Sequence, residues 1–248
     1  MGARELFQAG KLNEAVQALG AEVRDNPTDV RRRTFLFELL CFQGEYDRAE
    51  KHLHVLAGSN PEAQMGAVLY FSALHAERVR HDLFLKKEYP SVPASGNTRG
   101  GTIDGRPFES LEDADPRVGP RLELFAAGAY LWIPFEHIEA IEIQKPSRLR
   151  DLLWVPALVR TGPSFRGTEL GEVLLPVLAP FSYKHPDDNV RLGRATEWQE
   201  VDGLQVPVGQ RMFSVDEDEV SLLDSRLIEF TADAETETEA EATSPAGT

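Results

Sequence analysis

Apolar and polar positions change rhythm once along this chain. Up to about residue 88 they follow a helical period, and beyond about 101 they alternate in short runs between turn residues. The first part predicts a helical stub from Ala3 to Ala9, a hairpin of helices from about Val30 to Ala57, and one long helix from Pro61 to about Glu88, with no glycine turn where one falls due near Arg78. Tyr89-Pro90-Ser91-Val92-Pro93-Ala94-Ser95-Gly96 reads as a linker. After it, Asp104-Gly105 is placed as a hairpin turn. Arg121–Phe125, Ala129–Ile133 and Ile138–Ile143 read as strands, as do Val155–Thr161, Gly171–Leu178, Arg194–Val201, Val208–Val215 and Ser225–Phe230. Arg148–Leu153 fits a short helix or turn. The Ala-Glu-Thr alternation at the end offers nothing to bury. The expected class is therefore α+β: helical hairpins over 1–88, a linker over 89–101, a strand-rich, mainly antiparallel domain (sheet or small barrel) over 102–230, and a disordered acidic tail over 231–248.

An internal repeat refines the helical part. An offset of 34 residues links Gly10 to Gly44, Ala15 to Ala49, Leu19 to Leu53, Asn26 to Asn60 and Pro27 to Pro61. This period resembles the tetratricopeptide repeat, in which each unit is a helical hairpin. Glycine permits the left-handed turn between the two helices, and a small alanine lets them approach. Asn-Pro suits a boundary, with Asn as cap and Pro in the first turn of the next helix. The array is short, and so few units need something to cover their ends.

Composition narrows the partners. The 248 residues carry a net charge of −15, and the stretch from 231 contributes five acids and no base. Such a field repels phosphate backbones and anionic lipid, so neither nucleic acid nor membrane is expected as a partner. The one cysteine, Cys41, excludes an internal disulfide and suits a reducing compartment. No apolar run approaches the length of a membrane span, and Met1-Gly2-Ala3-Arg4-Glu5-Leu6 lacks the apolar core of a secretion signal. The expected location is the cytoplasm.

Reactive chemistry is hard to find. The histidines (52, 54, 75, 81, 137 and 185) show no metal-ligand spacing, and no C-x-x-C exists, so no metal or other cofactor is expected. Gly96-Asn97-Thr98-Arg99-Gly100-Gly101-Thr102 lacks the Lys-Ser/Thr of a phosphate loop. Glu112-Asp113, Asp187-Asp188 and Asp216-Glu217-Asp218-Glu219 read as loop carboxylates, the last as a solvated loop. An enzyme reading would have to draw on Glu136, His137, Arg150 and Asp151.

A binding surface is the better reading. In a tetratricopeptide array the first helix of each hairpin lines the concave face. That places Arg31, Thr34, Phe35, Glu38, Cys41 and Phe42 there from one unit, and Met65, Val68, Leu69, Ser72 and His75 from the next. Phe35, Phe42, Met65 and Leu69 would give the trough an apolar floor for a partner's amphipathic helix. The same phenylalanines can instead pack against a neighbouring helix or the second domain.

Two strings in the second part carry a specific resemblance. They are Gly128-Ala129-Tyr130-Leu131-Trp132-Ile133-Pro134-Phe135-Glu136-His137-Ile138 and Arg148-Leu149-Arg150-Asp151-Leu152-Leu153-Trp154-Val155-Pro156-Ala157, joined by Val208-Gly209-Gln210-Arg211-Met212-Phe213. With the layout over about 4–230, they are similar to the ImpE/TagJ (also SciE) family of type VI secretion accessory proteins. The resemblance implies a non-enzymatic adaptor that binds the N-terminal helix of the small sheath subunit, TssB, and assists the ClpV ATPase. It supplies no catalytic or binding residues. The bulky members Trp132, Phe135, Ile138, Trp154 and Val155 are core candidates, while Glu136-His137 and Arg150-Asp151 can form buried pairs or face a partner.

Overall fold

The computed structural model describes residues 1–59, 61–89 and 99–231. Of the expected linker, residues 90–98 lie outside them, and its last residue, Gly101, already begins a strand; of the expected tail, all but Thr231 lies outside them. Five helices come first: α1 (Ala3–Gln8), α2 (Leu12–Asp25), α3 (Val30–Phe42), α4 (Tyr46–Ala57) and α5 (Pro61–Lys86). The stub, the hairpin and the single long helix are all present. Gly10 and Gly44 make the inter-helix turns at φ +75° and +71°. Ala15, Ala49, Leu19 and Leu53 are all buried between the helices. One detail differs. Asn26 and Pro27 precede the connection to α3, whose N-cap is Asp29, its carboxylate accepting the Arg32 N–H at 3.0 Å. An acidic cap three residues from a helical N–H outcompetes the Asn-Pro pair.

Thirteen strands follow among the described residues: β1 (Gly101–Ile103), β2 (Arg106–Phe108), β3 (Leu111–Asp113), β4 (Arg121–Ala126), β5 (Ala129–Pro134), β6 (Ile138–Ile143), β7 (Trp154–Thr161), β8 (Gly171–Pro176), β9 (Thr196–Val201), β10 (Leu204–Gly209), β11 (Met212–Val215), β12 (Asp218–Ser221) and β13 (Leu227–Phe230). A one-turn helix, α6 (Asp188–Arg191), precedes β9. Eight strands form one antiparallel sheet in the order β2-β1-β13-β6-β7-β8-β4-β5. Strands β12-β11-β3 and the β9–β10 hairpin form two small sheets.

The large sheet is a middle layer. Period-2 alternation sends Leu122 and Leu124 of β4, with Val155 of β7 and Leu175 of β8, to a core shared with Phe213 and Val215 of the small sheet. The intervening residues Phe125, Trp154 and Leu174 join the core of the helices, among Leu36, Leu40, Leu74 and Ala76. Each fully buried leucine of this core contributes about 2 kcal/mol through lost apolar exposure. The two halves of the chain therefore share a core. The alternation of Arg121-Leu122-Glu123-Leu124-Phe125, which looks half-exposed, is buried on both faces.

Two other expectations change. Val208–Val215 is not one strand: it breaks between β10 and β11. Gly209 sits at φ +108° there, and a Cβ would meet the Ala195 carbonyl oxygen at 2.1 Å. Asp216–Glu219 is not a free loop but the turn and start of the β11–β12 hairpin, with the Asp216 carboxylate accepting the N–H groups of Glu109 at 2.9 Å and Ser110 at 2.8 Å.

The halves also cap one another. Helix α2 has no side-chain cap of its own, and Asp188 of α6 supplies one, its Oδ2 accepting the Leu12 N–H at 2.8 Å. Asp188→Ala should lower stability by about 1 kcal/mol, as loss of an N-cap does, read as a shifted urea midpoint.

Candidate interaction surface

The helical spacing from the Asp29 cap sets Arg31, Thr34, Phe35 and Glu38 along one stripe of α3. Phe35 is half-buried, edge-on to Phe7 of α1 with ring centroids 5.7 Å apart. Arg31 is exposed. Farther along, Cys41 and Phe42 are 2% and 1% exposed, inside the shared core rather than on a surface. Burial pushes the Cys41 thiol up, which leaves it unreactive.

The expected single trough is divided by the protein's own second half. A 3-10 turn, Leu149–Leu152, lies across α3 and α5, with Leu149 and Leu152 packed on the helical core. Its Arg150 reaches Glu38, Nη1 to Oε1 at 3.5 Å, and stacks over Tyr70 with 4.7 Å to the ring centroid. Burial pushes the Glu38 carboxyl up to about 7, the attraction of Arg150 only partly offsetting it. The Asp151 carboxylate fixes the turn, accepting the N–H groups of Ser147 and Arg148 at 2.8 Å each.

Two clefts flank this insertion. One, of about 720 Å³, runs between α1–α3 and residues 147–150 and includes Arg31, Thr34, Phe35 and Glu38. The other, of about 520 Å³, lies between α5 and the ends of β6–β8 and includes Leu69 and Tyr70. Beside it, Met65, Val68 and Leu69 form an exposed apolar row on α5, 72%, 60% and 48% accessible. So Arg31, Phe35 and Glu38 share one cleft, Met65 and Leu69 belong to the other side, and Phe42 belongs to neither.

About three turns beyond Tyr70 on α5, a buried polar cluster ties the helices to the sheet. Arg80, 1% exposed, forks onto Glu123 of β4 with Nε–Oε1 at 2.7 Å and Nη2–Oε2 at 2.9 Å, while its Nη1 donates to Glu77 Oε1 and the Leu178 carbonyl at 3.0 Å each. Trp154 Nε1 donates to the other Glu77 oxygen at 3.0 Å, and Arg211 approaches Glu123 at 3.3 Å and pairs with Asp113. Burial alone would raise the Glu123 carboxyl. Arg80 and Arg211 outweigh it and bring the value down to about 2. Asp113, which reads as a loop carboxylate in the sequence, is thus a buried member of a cluster joining three layers.

The residues of the enzyme reading do not assemble. His137 Nδ1 lies 2.9 Å from Ser164 Oγ at the start of β6, beside the largely exposed Glu136 carboxylate. Arg150 and Asp151 sit in the turn against α3, where Arg150 pairs with Glu38 and Asp151 accepts from Ser147 and Arg148. Among the described residues no group of three or more His, Cys, Asp or Glu could hold a metal ion, and no helix is long and apolar enough to cross a membrane.

The fold and its clefts are those of a short tetratricopeptide array packed on an antiparallel sheet, and residues 6–69 match the tetratricopeptide repeat family. Residues 105–229 match the family model described as ImpE protein, and the chain belongs to that family. A curated relative, the type VI secretion system accessory component TagJ of Pseudomonas aeruginosa, is 34% identical over 93% of this chain and 91% of its own. An X-ray crystal structure of a Vibrio parahaemolyticus protein shares the fold, with a TM-score of 0.80 at 21% identity, covering 94% of this chain and 99% of that one.

Proposed function

We propose that this chain is a non-enzymatic, cytoplasmic accessory component of a type VI secretion system that holds a helix of the small sheath subunit, TssB, and so assists handling of the sheath by the ClpV ATPase. Kinship with TagJ along nearly the whole chain carries the reading. A helical array with two open clefts beside an exposed apolar row supports docking of a partner helix. Phe35 would anchor that helix in the larger cleft between Arg31 and Glu38, and Met65 with Leu69 would extend the contact along α5.

Capture of the sheath subunit by the tagged chain tests this. Wild type should retain TssB, and Phe35→Asp or Leu69→Glu should weaken retention by about ten-fold, as truncating an interface anchor does. Circular dichroism identifies variants that merely unfold. Retention of proteins unrelated to secretion, with TssB absent, would support a general scaffold instead.

A further inference from the structure

The larger cleft is basic in an acidic protein. The chain carries a net charge of −15, yet this one cleft is lined by five arginines (Arg4, Arg31, Arg32, Arg148 and Arg150) against two carboxylates, Glu22 and Glu38. Those carboxylates are occupied. Glu22 pairs with Arg32 at 3.3 Å, and Glu38 with Arg150 at 3.5 Å. The exposed Arg4, Arg31 and Arg148 have no ion-pair partner among the described residues. These three guanidiniums, Arg4 and Arg31 on the helical side and Arg148 on the opposite side of the cleft, are available to an anionic occupant. Between the walls lie apolar side chains: Phe7, Leu19, Phe35 and Leu149. About 720 Å³ admits several side chains of one helix face, not a whole helix.

We infer that the cleft between α1–α3 and residues 147–150 takes an amphipathic helix of a partner protein whose polar flanks are acidic, its apolar stripe on Phe35 and Leu149 and its carboxylates on Arg31 and Arg148. This rests on the proposed docking role and adds the chemistry of the docked segment. The chain's net charge of −15 disfavours such a helix at long range, so the local arginines of this cleft favour its seating there over acidic parts of the surface. Arginine suits the task because its fork grips carboxylates in two directions.

Two labelled helical peptides with the same leucine stripe, one with glutamate and one with lysine at the polar positions, are titrated against the full chain by fluorescence anisotropy. At about 50 mM salt the glutamate peptide should bind at least about ten-fold tighter, and the advantage should shrink at about 300 mM as screening shortens the field. The double exchange Arg31→Glu/Arg148→Glu, on exposed positions that cost no core contact, should reverse the order. Equal affinities, binding of neither peptide, an order unchanged in the double variant, or equal binding of a glutamate peptide without the leucine stripe would each overturn the inference. Retention of TssB is measured alongside. TssB held without any charge preference among the peptides removes only the inference, and a charge-selective cleft that does not retain TssB removes only the proposed function.

Discussion

Replacing Arg80 with alanine should lower the unfolding free energy by about 3–5 kcal/mol, because it strands buried carboxylates without their cation. Arg80 makes four hydrogen bonds to Glu77, Glu123 and the Leu178 carbonyl from a position 1% exposed, so water cannot take its place without opening the layer between α5 and the sheet. Arg80→Lys keeps the charge but not the fork, and one ammonium cannot reach Glu77, Glu123 and the carbonyl at once; its loss should be intermediate. The pH dependence has a definite sign. Glu123 is held at about 2 against an ordinary 4.5, so its contribution is complete above about pH 4.5 and is lost as pH falls toward 2. With Arg80 removed, burial and a single remaining guanidinium act on Glu123, its value rises, and acid unfolding begins at higher pH. Urea titrations followed by circular dichroism across that range measure both effects. A loss under about 1 kcal/mol, the level of a surface pair, would mean that the cluster is hydrated and does not clamp the halves.

Gly44→Ala should cost about 3 kcal/mol, and Gly10→Ala about 1 kcal/mol, although the two glycines are equivalent in the repeat. Both occupy the left-handed region, at φ +71° and +75°, so alanine brings the same backbone strain to each. The surroundings differ. A Cβ on Gly44 would stand 2.4 Å from the Tyr183 ring, which is itself wedged against Tyr46 and His81. A Cβ on Gly10 would crowd only the end of the Asn189 side chain, at 3.0 Å, which can turn away, and would stand at ordinary contact distance, 3.5 Å, from Arg194 Nη1. The same urea titration reads both variants. In a Tyr183→Ala background the excess cost at Gly44 should largely vanish while the backbone share remains, a coupling that a double-mutant cycle isolates. Equal costs for the two glycines in the wild-type background would show that Tyr183 gives way freely.

These two cases mark where local pattern stops being informative. Glycine at a 34-residue offset is enough to place both turns, because the left-handed conformation is a property of the residue and its neighbours in the chain. That Tyr183 covers only one of them depends on a segment more than a hundred residues away. Glu123 makes the same point from the other direction. Alternation marks β4 as a strand and sets Glu123 opposite Leu122 and Leu124, but a strand with one polar face reads as solvated on that side. The helices cover it instead, and Arg80 and Arg211 supply the partners that make a buried carboxylate tolerable. The acidic pair at Glu112-Asp113 was obscured in the same way, its second member buried against Arg211.

The division of the trough follows from the same limit. The stripe from Arg31 through Phe35 to Glu38 follows from helical spacing, and so does the exposed row of Met65, Val68 and Leu69. Nothing in those spacings says that residues 148–152 cross between them, because a four-residue 3-10 turn has no periodicity to detect and its contacts to Glu38 and Tyr70 join distant parts of the chain. Five helices, most of the strands and their antiparallel character are written into short-range order: caps, glycine turns, apolar periods of 3.6 and 2. Which faces remain open to a partner was settled only when the helical array and the sheet came together, since that packing leaves Phe42 buried and Phe35 at a cleft, and brings five arginines from three separate segments of an acidic chain to the two sides of that cleft.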